Sequence, residues 1–221
     1  MTLAEFQGES LGYGRGVVLE DVTLRLSAGE RVVLLGRSGA GKTTLLNALY
    51  DRMTASGVRV ALAPQDHALV PQLSVLRNAL MGRLDDHGWA YNLVTLIRPR
   101  RTERAAIADV LAQVGLGDQI DRAVGTLSGG QKQRTALARA LYRNGQVLIA
   151  DEPVSAVDET RAAALLQLMR DSVGTSVLAL HDVGLARAFA TRLIGIRAGR
   201  IVLDAAPDQI TPEQIAALYA V

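Results

Sequence analysis

Short apolar runs alternate with longer stretches of helical spacing along most of this chain. Leu3–Phe6, Val17–Leu26 and Arg31–Leu35 read as strands; in the second, Val22, Leu24 and Leu26 alternate with polar positions. Ala28-Gly29-Glu30 makes the turn before the third. Val32–Leu35 is apolar without a break, the pattern of a parallel strand covered on both faces. From Thr43 to Tyr50 the period changes, and Leu45, Leu46 and Leu49 fall on one helical face. Val58–Ala63 is a further strand. Residues 74–114 read as mostly helical, with breaks near Gly88 and at Pro99. A helix is clear from Gln131 to Tyr142. Strands at Val147–Ala150, Ser176–Leu180 and Leu193–Ile196 then alternate with helices at Glu159–Arg170 and Val183–Ala190. Such alternation predicts an α/β fold with a mainly parallel sheet. The expected organisation is a single domain over residues 1–221. Its core spans about 1–70 and 126–221, interrupted by a helical subdomain at about 71–125.

Composition narrows the function classes without choosing one. The chain has 221 residues, enough for one sizeable core, with 49% apolar and 21% charged residues, an ordinary globular balance. With 24 basic against 22 acidic side chains, the net charge of +2 gives no argument for nucleic acid. The absence of cysteine excludes disulfides, thiolate metal sites and a cysteine nucleophile. No secretory-type stretch follows Met1, and no apolar run approaches the ~18 residues that span a bilayer. Membrane work is therefore expected to go through a partner. Arg98, Arg100, Arg101 and Arg104 form a basic run around Pro99. Without interleaved aromatics, it reads as a solvated loop and helix start rather than a nucleic-acid patch.

The sharpest chemical signal is Gly36-Arg37-Ser38-Gly39-Ala40-Gly41-Lys42-Thr43, followed by Thr44. It satisfies G-x-x-x-x-G-K-[ST] between a buried strand and a helix, the context such a match requires. Glycines let the backbone turn its N–H groups inward onto phosphate oxygens, and the helix end adds partial positive charge. Lys42 is expected to bridge the β- and γ-phosphates of a nucleoside triphosphate, and the Thr43 hydroxyl to ligate Mg²⁺.

A second signal is Asp151-Glu152, at the C-terminal end of the apolar strand Val147–Ala150. Ligands of open α/β sheets bind at that edge. Adjacent residues on an extended segment point opposite ways, so the two acids should differ in role. Asp151 is the candidate to hold Mg²⁺, and Glu152 the candidate general base toward an attacking water.

Leu127-Ser128-Gly129-Gly130-Gln131 is the third. Ser128 to Gln131 reads as a capping box opening a helix, with two glycines leaving backbone N–H groups uncovered. One chain then has two phosphate-binding helix ends, which suggests that they belong to two ATP contacts. A C2 dimer resolves this, with one subunit's segment capping the γ-phosphate held by the other's loop.

These three motifs, in this order, resemble the ATP-binding subunit of an ABC transporter, and the resemblance covers essentially the whole chain. It implies the P-loop ATPase fold of that family, with an antiparallel β subdomain and a helical subdomain carrying the signature. It further implies that Gln65 is the glutamine sensing Mg²⁺ and water. On the same basis, Asp158 in Ser155-Ala156-Val157-Asp158 communicates across the dimer. His181 contacts the γ-phosphate, and Tyr13 in Gly12-Tyr13-Gly14 stacks under adenine. Ser128, Gly129, Gly130 and Gln131 then act in trans on ATP. The implied partners are membrane-spanning permease subunits, a second copy of the chain and, indirectly, an extracytoplasmic solute-binding protein. The implied place is the cytoplasmic face of the inner membrane.

Ser74–Leu84, Trp89 and the helix from Thr102 to Val114 are similar to phosphonate-type importers, which implies an oxyanion such as phosphonate or phosphite. Two departures stand beside this: Tyr50–Gln65 is short, so the antiparallel subdomain is expected to be trimmed, and Asp182 follows His181 where that group more often has Gln. Alternatives are an exporter or lipoprotein-release ATPase. A soluble ATPase acting on nucleic acid needs a coiled-coil insertion or tandem halves that this chain lacks. Trp89, Tyr91, Leu93 and Leu96 form an apolar cluster that serves either the subdomain core or a permease interface.

Overall fold

A computed structural model describes residues 1–14 and 16–220. The chain divides into two compact units, Met1–Leu62 with Gln146–Glu152 and Val173–Val221, and Ala63–Gly145 with Pro153–Ser172. The second unit thus extends beyond residues 71–125 and takes in the helix that starts after Ser128.

The first unit is built on strands. β1 (Thr2–Tyr13) and β2 (Gly16–Ser27) form an antiparallel two-stranded sheet. β3 (Arg31–Leu35) leads through the glycine-rich loop to α1 (Lys42–Ala55), and β4 (Val60–Ala63) follows. The six-stranded sheet is completed by β5 (Val147–Asp151), β6 (Thr175–Ala179), β7 (Arg192–Arg197) and β8 (Arg200–Ala205), in the order β4-β5-β6-β3-β7-β8. β3 pairs parallel with β6 and β7, β5 pairs parallel with β6, and β8 runs antiparallel to β7.

Every residue of β5 and β6 is buried, in keeping with the apolar runs Val147–Ala150 and Val177–Ala179 within them. Alternation still sorts the two faces. Val32, Leu34, Val177, Ile194 and Ile196 pack in one cluster with Leu45, Leu46, Leu49 and Met53 of α1 and with Phe6, Leu24 and Leu26 of the small sheet. Arg52 of α1 also reaches β1, donating to the Glu5 carbonyl at 2.7 Å and stacking over the Phe6 ring.

Two elements of this unit were not expected from sequence. β8 follows a tight turn at Ala198-Gly199, both at positive φ, the signature of a type I′ hairpin. As an edge strand it is at most half-buried, so its apolar alternation is diluted by Arg200, Val202 and Asp204. The last helix of the chain, Pro212–Tyr219, is opened by a full capping box between Thr211 and Gln214, with proline in its first turn. It buries only Ile215 and Leu218, too short a stripe to register as a period.

The second unit is helical: α2 (Val75–Leu80), a 3₁₀ segment Met81–Asp86, α3 (Trp89–Ile97), α4 (Arg101–Gln113), α5 (Gly129–Arg143) and α6 (Glu159–Ser172). Its breaks fall at Gly88, the N-cap of α3, and at Pro99 before α4. Among the described residues, no helix is long and apolar enough to cross a membrane.

Candidate active site

The phosphate loop leaves β3 at Gly36, which takes φ 144° and lies so close to the Ile196 carbonyl that a Cβ would sit 2.3 Å from its oxygen. A side chain there would displace the loop from the sheet. Ser38, Gly39 and Ala40 carry the chain over to Gly41, the left-handed N-cap of α1. No side chain caps that helix end, so its N–H groups are left to a ligand. Lys42 is buried and donates to the Gly36 carbonyl at 2.9 Å and the Arg37 carbonyl at 3.1 Å. Burial pushes its ammonium pKa down, against the pull of the Glu152 and Asp151 carboxylates.

α1 and β5 bring Thr43 and Asp151 together. The Thr43 hydroxyl donates to Asp151 Oδ2 at 2.6 Å, while Thr44 is buried beneath. Burial raises the Asp151 pKa, against the Thr43 hydrogen bond; the Glu152 charge raises it further, and Lys42 and His181 pull it down. A hydroxyl beside a buried carboxylate suits a hard cation such as Mg²⁺, whose remaining positions go to water and phosphate. The pair therefore fits the metal without a third acid, and no cluster of three or more metal-binding side chains occurs among the described residues.

Glu152 takes φ 53°, a left-handed conformation uncommon for a non-glycine residue. Its N–H donates to the Ala179 carbonyl at 3.1 Å, and its carboxylate meets His181 Nε2 at 2.5 Å. His181 stands just past β6, so neighbouring parallel strands deliver acid and imidazole to the same sheet edge. Tyr13, at the end of β1, is 57% exposed and its hydroxyl accepts from Asn47 Nδ2 of α1 at 2.9 Å. An exposed ring anchored by its hydroxyl leaves a face available for stacking.

The other expected residues belong to the helical unit. Gln65 is exposed in the turn after β4, where His67 and Ala68 take positive φ. Arg139 of α5 clamps that turn, donating to the His67 carbonyl at 2.7 Å and the Ala68 carbonyl at 2.6 Å. Ser128 is the N-cap of α5 and accepts from the Gln131 N–H at 3.3 Å, while Gln131 Oε1 accepts from the Ser128 N–H at 2.9 Å. Ser128 and Gly129 are exposed, with Gly130 half-buried. Asp158 is exposed and accepts from the Arg161 N–H at 2.9 Å, opening α6.

The supposed cluster on α3 is corrected by the structure. Tyr91 and Leu96 line a cavity of about 230 Å³ with Arg83, His87 and Asn92, and Tyr91 donates to Glu103 at 2.8 Å. Trp89 and Leu93 turn the other way, 81% and 53% exposed, beside Val94 and Ile97 at 63% and 67%. Helical residues two apart do not share a face. α3 therefore points its polar side inward and its apolar side out.

A family model for ABC transporters matches residues 19–155 of the chain. The chain belongs to the ABC transporter family. Among its ABC relatives, the phosphonates import ATP-binding protein PhnC of Pseudomonas putida is 38% identical, over 96% of this chain and 88% of the relative. The phosphite import ATP-binding protein PxtA of Stutzerimonas stutzeri is 37% identical, over 96% and 85%. A PhnC protein of Natronomonas pharaonis is 41% identical, over 94% and 95%. Among solved structures, an ATP-binding cassette in a dimeric post-hydrolysis state bound to ADP and phosphate superposes with a TM-score of 0.75. It is 25% identical, over 94% of this chain and 99% of that one. The fold is thus the ABC ATPase cassette, with an antiparallel sheet beside a mostly parallel one.

Sequence reasoning passed over two arginines of this ABC chain's signature helix. One is Arg139, on the Gln65 turn. The other is Arg134, buried and donating to the carbonyls of Gly130, Val114 and Gly115 at 3.2, 3.0 and 2.9 Å. Both signals were available: a cation inside an apolar helix period requires a dedicated acceptor set.

Proposed function

We propose that this chain is the ATP-hydrolysing subunit of a membrane importer for phosphonate, phosphite or a related oxyanion. The observation that carries the ATPase reading is the convergence, within one unit, of the uncapped α1 end with Lys42, the Thr43–Asp151 pair and the Glu152–His181 contact. The oxyanion rests on relatives that are phosphonates and phosphite import ATP-binding proteins, matched over 88% and 85% of their lengths.

In this reading Tyr13 stacks on adenine, and the N–H groups of residues 36–44 together with Lys42 hold the phosphates. Thr43 and Asp151 would hold Mg²⁺, which would supply charge neutralisation on the β- and γ-phosphates. Glu152 accepts a proton from the attacking water as the water oxygen bonds to the γ-phosphorus and the bond to ADP breaks. His181, in contact with Glu152, orients that carboxylate and faces the γ-phosphate. Ser128, Gly129, Gly130 and Gln131 of a second copy cap the same phosphate, and Asp158 relays between copies. ATP binds the closed pair better than the open one, so closure drives the permease and hydrolysis reopens it.

The permease meets the outward apolar side of α3, at Trp89, Leu93, Val94 and Ile97. An extracytoplasmic binding protein delivers the solute, and the chain works at the cytoplasmic face of the membrane without nucleic acid. The test is ATP turnover of the purified complex in lipid, with and without phosphonate-loaded binding protein. Stimulation by the loaded protein is expected. Turnover indifferent to it would overturn import of this solute, and absence of turnover would overturn the ATPase.

A further inference from the structure

The geometry points to Gln133 as a positioning residue that locks the signature segment to Ser155–Asp158, so that the two present one surface to a second copy of this chain. This deepens the dimer reading above and rests on it.

Gln133 lies in the second turn of α5, one turn beyond the Ser128 cap, and is 4% exposed. Its amide is used at both ends. Nε2 donates to Ser155 Oγ at 3.0 Å, and Oε1 accepts from the Ala156 N–H at 3.1 Å. The carbonyl of the same Ala156 presses on Gly130, where a Cβ would stand 2.5 Å from its oxygen. The Ser155–Ala156 backbone is therefore held from the helix by an amide, and abuts the signature glycine directly.

All of these groups belong to the helical unit. Ser128, Gly129, Ser155, Ala156 and Asp158 are exposed around the buried amide. A buried amide with both ends paired fixes distance and orientation together, because losing either bond leaves a polar group without its partner. Gln133 touches no nucleotide in this scheme. It sets the spacing between two segments that must meet their targets on the other subunit at once. Two segments fixed in register lose less freedom on association than two that move independently.

The experiment uses the full chain in the Glu152→Gln background, where ATP is retained and the closed dimer accumulates. The dimer dissociation constant with ATP is measured by sedimentation, and nucleotide affinity is measured separately under dilute, monomeric conditions. Gln133→Met keeps shape and burial but loses both hydrogen bonds. Dimerisation is expected to weaken about tenfold or more, on the scale of two lost buried hydrogen bonds, while monomeric nucleotide affinity stays unchanged. Gln133→Glu still accepts from the Ala156 N–H and from the Ser155 hydroxyl, so it is expected to restore dimerisation.

Equal dimerisation of the Met variant and its parent would overturn the inference. So would a Glu variant as weak as the Met variant, or a parallel loss of nucleotide affinity. If Gln133→Met does not fold, Ser155→Ala, an exposed change that removes one of the two bonds, decides by the same measurement. Failure of Glu152→Gln alone to dimerise with ATP would instead bring down the dimer reading, and this inference with it.

Discussion

The glycine-bearing N-terminal ends of α1 and α5 are finished in opposite ways. At α1 the N-cap is Gly41, no side chain occupies the end, and buried Lys42 stands inside it. The Glu152 and Asp151 carboxylates lie within its electrostatic reach. At α5 the N-cap is Ser128, and a complete capping box with Gln131 already satisfies part of the end. No acid enters its first turn, which Lys132 closes by donating its N–H to the Ser128 carbonyl at 2.9 Å. The first end has the charge to hold a triphosphate by itself. The second lacks the uncapped end and the buried lysine of the first, so on the dimer reading proposed above it adds binding once a phosphate has been placed by something else. On the same proposed reading, that asymmetry makes association conditional on nucleotide.

The largest expected effect removes chemistry while leaving both ends intact. Glu152→Gln should lower kcat by about 10²–10⁴, the usual worth of a general base, with ATP binding retained. Single-turnover hydrolysis and equilibrium nucleotide binding separate the two. Unchanged turnover would remove Glu152 from the proton-accepting role, whatever its contact with His181.

Next comes the end that carries its own charge. Lys42→Ala should weaken ATP binding by roughly ten- to a hundredfold, the scale of charge-assisted hydrogen bonds to phosphate. Ser128→Ala should leave ATP binding by the isolated subunit unchanged and weaken only the ATP-dependent pair. Fluorescent-nucleotide titration below and above the dimerisation range tests the contrast. Equal losses at both residues would break it.

How far these features could be read from residues depends on whether local spacing expresses them. Strands β3, β5, β6 and β7 are buried on both faces and show as apolar runs. Gly88 and Pro99 punctuate the helices where the structure breaks them. The Ser128–Gln131 cap is local, and so is legible. β8 was lost because an edge strand exposes half its side chains, although Ala198-Gly199 marked its turn. Gln133 and Arg134 were lost because their partners lie about 20 residues away, and no spacing rule reports a tertiary hydrogen bond. The direction of α3 stayed open for a related reason. Apolarity alone does not say whether a face meets the core or a partner.

A third, smaller effect concerns that outward face. Trp89→Ala should change the stability of the isolated chain by no more than about 0.5 kcal/mol, since the indole is largely exposed. It should weaken assembly with the permease about tenfold, the threshold scale of an interface hot spot. Co-purification yield and thermal melting are the paired measurements. A large loss of stability with normal assembly would return the residue to a structural role.

The smallest effect lies in the cost of keeping the first end charged. The folded-state pKa of Asp151 is raised, chiefly by burial, even after the attractions of Lys42 and His181 have acted. The fold therefore favours the protonated acid. The associated stability is fully present below the unfolded value of about 3.9 and is lost as pH rises through the higher folded value. It declines as the wild-type acid ionises. Asp151→Asn mimics the neutral form and keeps an oxygen that can accept from Thr43. It should melt a few degrees higher at neutral pH, on the scale of about 2–4 °C per kcal/mol for a chain of this size. The advantage should shrink on acidification and vanish once the wild-type acid is itself protonated. Magnesium-dependent ATP turnover should be lost at every pH. A melting gain that persists unchanged in acid would show that the carboxylate's charge is not what strains the nucleotide-free site. The contrast between an uncapped helix end held at a cost and a capped one would then need another origin.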